Sequence, residues 1–402
     1  MSRIDLSRET RVCPNSRITA RAASFAALAV LLVATVGVNC DPGSIRVVNR
    51  PPDPRLVDEH GDVDADGFAA LVVAVEEERG LGFIQQPRLE LLAPDDPRLP
   101  ALRASALALE PCPRAEATSI AESAPAPIGP RCFADPSLDF TLCLAPPDLD
   151  AARRVLRRLL DAQNYPRLAR AAPRLRGDPG VAIRAVLAAS AAGAIRPSRE
   201  RAAFGDTDPI DVLDLPKIDV ERQGQPGGSC TDLGSAFLAS QSDREAPFRT
   251  PPLSTLMLLR PKVYRASERP LLLVAKPMGV AGCEVDGDES LGVARILVEL
   301  VAKGGSISGA ALAGWRGDRA LHFTCGDGEP PWIYVAELAD AAHATEFAKA
   351  VPHLLPGALP GPAETQRIGR RIVIAHRIGS PQARAWAAAL ETRELLDFEG
   401  TE

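Results

Sequence analysis

The stretch Pro147–Leu168, PDLDAARRVLRRLLDAQNYPRL, decides how the rest of the chain is read. Leu149, Ala152, Val155, Leu156, Leu159, Leu160 and Gln163 recur at the spacing that lines one face of a helix. Asp148 follows Pro146 and Pro147 and is placed to cap that helix. Arg153, Arg154, Arg157 and Arg158 fall on the other side, which predicts a solvated arginine face.

Upstream, Asp62-Val63-Asp64-Ala65-Asp66-Gly67 has the opening of a calcium loop, but Val73 stands where the bidentate glutamate belongs. Asp66 is better read as the cap of a helix Gly67–Arg79, broken at Gly80. A strand over Pro87–Leu92, a helix over Ala101–Leu109 and a Pro/Ala-rich connection Glu110–Pro130 follow. Phe133–Leu144 alternates around an Asp-Pro-Ser turn and predicts a β-hairpin. Downstream of the arginine helix, Pro179–Ala192 reads as an Ala-rich buried helix.

Residues 201–250 carry many breakers and read as a long loop or junction. Order resumes at Pro251–Tyr264, with a strand at Leu271–Ala275 and a helix at Leu291–Ala302. A helix end over Ala310–Trp315, closed by Gly314, precedes a strand pair, Leu321–Cys325 and Trp332–Glu337. A helix Ala339–Ala350, a strand Arg371–Arg377 and an amphipathic helix Gln382–Leu396 close the chain.

At 402 residues and 46% hydrophobic, the chain has room for one large or two ordinary domains. A net charge of −6 argues against a nucleic-acid surface, so no nucleic-acid partner is expected. The N-terminus predicts export. Arg3, Arg8, Arg11, Arg17 and Arg21 precede the uncharged run Ala22–Val38, the arrangement of a secretory signal. Cys40 stands where a lipoprotein signal places its lipidated cysteine, and a Pro-bearing tether follows over residues 41–61. Soluble export and an uncleaved anchor are the alternatives. All three place the body outside the cytoplasm, and the membrane is the expected partner of the anchor.

Apart from Cys13 in the leader and Cys40, six cysteines remain, Cys112, Cys132, Cys143, Cys230, Cys283 and Cys325, an even set that favours disulfides in an oxidising compartment. Cys132 and Cys143 bracket the hairpin and can pair locally, and the other connectivities are open.

The order of segments resembles a poorly characterised prokaryotic extracytoplasmic family with a gluzincin-like, HExxH-type metallopeptidase domain. Pro251-Pro252-Leu253-Ser254-Thr255, with Leu259-Arg260-Pro261-Lys262-Val263-Tyr264 after it, is similar to that family's Pro-Pro-x-Ser-Thr-Glu and Leu-His-Pro-x-x-Tyr. Gly314-Trp315-Arg316-Gly317-Asp318-Arg319 resembles its Gly-Trp-Gly-Gly-Asp-Arg. Arg79-Gly80-Leu81 with Phe83, and Phe133-Ala134-Asp135-Pro136, match its first junction and its hairpin. The likeness spans residues 62–396. It implies an α+β fold, with a zincin-like helical and hairpin half over residues 62–200. A C-terminal α/β region of short strands and helices follows over residues 251–402.

In that family the helix after the hairpin carries His-Glu-x-x-His, two zinc ligands one turn apart and the base that activates water. Aligned on the tail Leu160-Asp161-Ala162-Gln163, the metal positions fall here on Arg154 and Arg158 and the base on Val155. A third ligand, from the following helix, falls on Ala188. Cations and apolar groups cannot hold zinc, so neither metal nor cofactor is expected.

The five histidines, His60, His322, His343, His353 and His376, include no pair at helical spacing. Lys303–Gly309 misses the nucleophile-elbow pattern. Asp286, Asp288 and Glu289 read as a solvated acidic turn. Trp315, Arg316, Asp318 and Arg319 offer either a binding loop or a structural corner.

The expectation is a non-catalytic, exported, lipid-anchored protein that keeps a metallopeptidase-like scaffold and binds a polypeptide or envelope component. The alternatives are a hydrolase rebuilt in the C-terminal region, around Asp286–Glu289 or Gly314–Arg319, and a purely structural envelope lipoprotein.

Overall fold

A computed structural model describes residues 55–109, 131–134, 140–194, 228–274, 279–296, 312, 314–326, 329–354 and 363–396. The leader with Cys40, the connection 110–130 with Cys112, and the run 303–309 lie outside the described residues.

The architecture is α+β. In the N-terminal half, helix α1 (Ala65–Arg79) leads to strand β1 (Arg88–Leu92) and helix α2 (Leu99–Ala108). Strands β2 (Cys132–Ala134) and β3 (Phe140–Leu144) precede helices α3 (Leu149–Asn164), α4 (Pro166–Ala171) and α5 (Gly177–Ala191). The three strands form one small sheet in the order β1-β3-β2. The expected hairpin is its β2–β3 pair, and Cys132 faces Cys143 in register and is disulfide-bonded to it.

Helix α1 begins earlier than its apolar spacing predicts. Its cap is Asp64, which accepts from the Gly67 N–H at 2.9 Å, and not Asp66. Asp148 caps α3 as expected, accepting from the Ala151 N–H at 3.0 Å. The apolar sides of α1 and α3 meet over Leu71, Val75, Leu156 and Leu159, which are almost wholly buried. Burying such side chains stabilises the fold by about 1.5–3 kcal/mol each.

The junction 201–250 is not all loop. Residues 228–240 form helix α6 (Gly228–Ser240), and α7 (Ala246–Arg249) is a single turn. The glycines and serines of α6 hide its period, yet Cys230, Leu233, Phe237 and Leu238 are buried along one side. Gly234 explains the residue choice. A Cβ there would lie 2.1 Å from the Ala185 carbonyl oxygen of α5, so only glycine lets the Ala-rich α5 come this close. Core residues of α4 and α5 and their connection join with those of α6, Leu253, Leu258 and Leu395 in one cluster, so the N- and C-terminal regions share a core.

Helices α8 (Thr255–Leu259) and α9 (Pro261–Arg265) precede strand β4 (Leu271–Val274). Strands β5 (Cys283–Glu289), β6 (Trp315–Cys325) and β7 (Trp332–Leu338), helix α10 (Ala341–Leu354), and strands β8 (Glu364–Ile368) and β9 (Arg371–His376) follow. Helix α11 (Ser380–Ala389) and strand β10 (Glu391–Glu394) come last. The main sheet runs β5-β6-β7-β9-β8, with every neighbouring pair antiparallel. Strand β7 is buried along its whole length, which accounts for its nearly unbroken apolar run. One face of the sheet carries Trp332, Tyr334 and Ile374 under α8 and α10, and the other carries Ile333, Val335 and Val373 under α11.

Three C-terminal expectations need correction. The acidic turn at Asp286–Glu289 is strand β5, tied to β6 by the Cys283–Cys325 disulfide. Arg319 of β6 donates to Asp288 across the ladder at 2.8 and 2.5 Å, and Arg295, just after β5, donates to Glu289 at 3.0 Å. Trp315 opens strand β6 and is not the end of a helix. The closing helix stops at Ala389, because Glu391–Glu394 pairs with β4 instead. Glu and Arg favour helix locally, but an unpaired strand edge outweighs that preference.

Candidate functional site

A cleft of about 340 Å³ opens in the N-terminal half. Its apolar walls come from Leu102 and Ala106 of α2, Phe133 of β2, Val155 and Leu159 of α3, and Leu187 of α5. Arg158, Arg170 and Arg174 supply its positive charge. Its size falls in the range of small-molecule clefts, about 300–1,000 Å³.

Three of the four positions aligned with the metallopeptidase site line this cleft: Val155, Arg158 and Ala188. Arg154 is exposed and stands apart from the lining. Neither a guanidinium nor a methyl group offers a lone pair to a metal ion. Among the described residues, no group of three or more His, Cys, Asp or Glu side chains is arranged to hold one.

The arginine side of α3 is not uniformly solvated, contrary to the amphipathic reading. Arg157 is buried, donates to Glu78 of α1 at 3.1 and 2.5 Å, and also reaches the Ala191 carbonyl at 2.9 Å. One turn on, Asp161 forms the polar floor of the cleft. It accepts from Arg79 Nε at 3.1 Å and Nη2 at 2.5 Å, and from the Ser190 hydroxyl at 2.5 Å. Burial pushes the Asp161 carboxyl up, while Arg79, Ser190 and Arg157 pull it back down. Arg79 also stacks over Phe248, 5.0 Å from the ring centroid. These pairs hold α1, α3 and α5 in fixed relation behind the cleft. Arg79, Arg157 and Asp161 have no special signature in the sequence, since charges on a helix usually face water.

The C-terminal candidates lie in the sheet. Trp315 and Asp318 are buried on β6. Arg316 reaches Glu268 at 3.3 Å and the Arg269 carbonyl at 3.2 Å. Arg319, besides Asp288, donates to the Leu273 carbonyl at 3.0 Å. With the indole inside the core and the guanidinium groups of Arg316 and Arg319 bonded to neighbouring strands and turns, the segment is a strand and not a loop.

The histidines are spread over separate carboxylates. His322 Nε2 lies 3.6 Å from Glu289, His376 Nε2 3.3 Å from Glu329, and His343 Nδ1 2.9 Å from Asp340. His322 and His376 flank Trp332 in the ladder register, and the His376 ring stacks on the indole at 5.9 Å. Among the disulfide candidates, Cys230 is also disulfide-bonded.

Fold and cleft together define a disulfide-bonded α+β protein with a helix-walled, arginine-bearing cleft. No protein-family model, curated protein or solved structure matches the chain. The likeness to the gluzincin-type family therefore rests on the sequence motifs alone.

Proposed function

We propose that the protein is a non-catalytic, exported binding protein, anchored at the envelope through Cys40. On this reading it keeps a metallopeptidase-like helical half as a scaffold. Its ligand is a polypeptide or envelope component that presents an apolar segment ending in a carboxylate. The observation that carries the reading is the company Arg158 keeps. Arg158 and the methyl group of Ala188 stand, at the positions where the resembled family has metal ligands, in a cleft with apolar walls and two further arginines, Arg170 and Arg174. An apolar body suits the walls, and an anionic end suits the positive charge of the cleft.

The test uses the oxidised body, residues 41–402 with Cys40 left out. Two carboxylates are titrated calorimetrically: dodecanoate, and an alanine/leucine hexapeptide with a free C-terminus. Dodecanol and the peptide amide are the neutral controls. Binding is expected to require the carboxylate, and whichever probe binds identifies the source. A hydrogen bond to a charged group contributes about 1.5–3 kcal/mol, so Arg158→Ala should weaken binding by roughly tenfold to a hundredfold. Equal binding of acid and neutral probe, or near-stoichiometric zinc in the purified protein, would overturn the reading.

A further inference from the structure

Two carboxyl groups are buried away from the cleft, where the helical half meets the main sheet. Asp178, in the first turn of α5, is 1% exposed, and Asp318, on β6, is 3% exposed. Both oxygens of Asp178 lie 3.1 Å from the Thr255 N–H, and the Thr255 hydroxyl donates to Oδ1 at 2.5 Å. That hydroxyl in turn accepts from the Ala294 N–H at 2.9 Å. Asp318 accepts from the Ser290 hydroxyl at 2.6 Å, the Gly292 N–H at 3.0 Å and the Tyr334 hydroxyl at 3.2 Å.

Gly292 brings the two together. Its N–H serves Asp318, while a Cβ on it would lie 1.8 Å from the Asp178 carboxylate oxygen, so the two groups meet across one residue. Its φ of +72° also calls for glycine.

Every donor to this pair is neutral. Several charged groups of the surrounding elements are engaged elsewhere, among them Glu337 of β7, which pairs with Arg370 and Arg371. Arg184 of α5 donates to the Ala172 and Leu175 carbonyls, Arg295 of the 292–296 helical turn pairs with Glu289, and Arg319 of β6 pairs with Asp288. His322 of β6 lies against Glu289. Strand β7 contributes Tyr334, whose proton is held far into the alkaline range by burial and by the Asp318 charge.

We propose that Asp178 and Asp318 form a pH-sensitive interlock, which clamps α5 and α8 onto the sheet while a carboxyl is protonated and loosens when both ionise. Burial raises Asp178 to about 7, with the neighbouring Asp318 charge adding to the rise, and raises Asp318 to about 6. Both values exceed the ordinary carboxylate value of 3.8. The folded state therefore binds more protons than the unfolded state. The stabilisation is fully present below about pH 4 and is lost as pH rises through about 6 and 7. This runs opposite to a salt-bridged aspartate, whose stabilisation is lost in acid.

The test is hydrogen exchange of the oxidised body from pH 5 to 8, reading the amides of α5, α8 and residue 294. After correction for intrinsic rates, protection should fall by roughly tenfold per pH unit for each carboxyl until that group ionises in the folded state. Asp318→Asn should make the profile shallower, leaving the contribution of Asp178. An infrared band of protonated carboxyl at pH 6 in the wild-type protein, diminished in Asp318→Asn, is the second expected result. Should that variant fail to fold, the wild-type band decides alone. Its absence at pH 6, or protection that does not change between pH 5 and 8, would overturn the proposal.

Discussion

Replacing Asp161 by alanine tests how the helical half is held together. The Arg79 side chain is 2% exposed and that of Asp161 is 1%, so neither charge has water to fall back on. Removing one partner of a buried pair costs about 3–5 kcal/mol, because the remaining charge stays buried without compensation. Here Glu245 lies 3.4 Å from Arg79 and is 26% exposed, and the Phe248 ring stacks on the guanidinium. These partners move the expected cost to the low end, about 3 kcal/mol. That is a large fraction of the roughly 5–15 kcal/mol typical of a folded domain. The assay is urea unfolding of the oxidised body at pH 7. The double variant Arg79→Met/Asp161→Leu removes both charges and should recover most of the loss, since an apolar pair of similar size is often no worse than the ion pair. A cost below about 1 kcal/mol for Asp161→Ala, or a double variant no better than the single one, would refute the reasoning.

Gly234→Ala should be destabilising, because the new methyl group meets the Ala185 carbonyl at 2.1 Å and must push α5 and α6 apart. Overpacking of this kind costs about 1–3 kcal/mol, and thermal denaturation would show it as a lowered Tm. Replacing Cys283 and Cys325 together by serine opens a link across a sequence separation of 42 residues. Chain-entropy arguments put the loss near 3–4 kcal/mol, approximately, which urea unfolding of the variant would measure. An unchanged midpoint would show that the ladder between β5 and β6 holds without the covalent tie.

Much of the N-terminal half is legible in the chain. The Pro147–Leu168 stretch shows both the helix and its Asp148 cap, because an amphipathic period and a capping residue are local signals. The Phe133–Leu144 alternation gives the hairpin for the same reason. Helix α6 escapes because glycine and serine lower its local propensity, and its helical state is stabilised by close packing on α5. Strands β5 and β10 escape because their polar, charged residues form strands only when a neighbouring edge is present to pair with. The cleft is half legible: the family resemblance singles out Arg158 and Ala188, whereas Arg170, Arg174 and the α2 wall come together only in the fold.

By itself, the sequence determined the mixed α+β composition, the helix at the centre of the N-terminal half and the hairpin. Those features depend on residue type and short-range spacing. Only the tertiary structure decided that Arg157 and Arg79 are buried partners of Glu78 and Asp161, and that Asp178 and Asp318 face each other across Gly292. A charged residue in a sequence carries no mark of its burial. What it does depends on the solvent it loses and the partner it gains, and both are supplied by residues far along the chain.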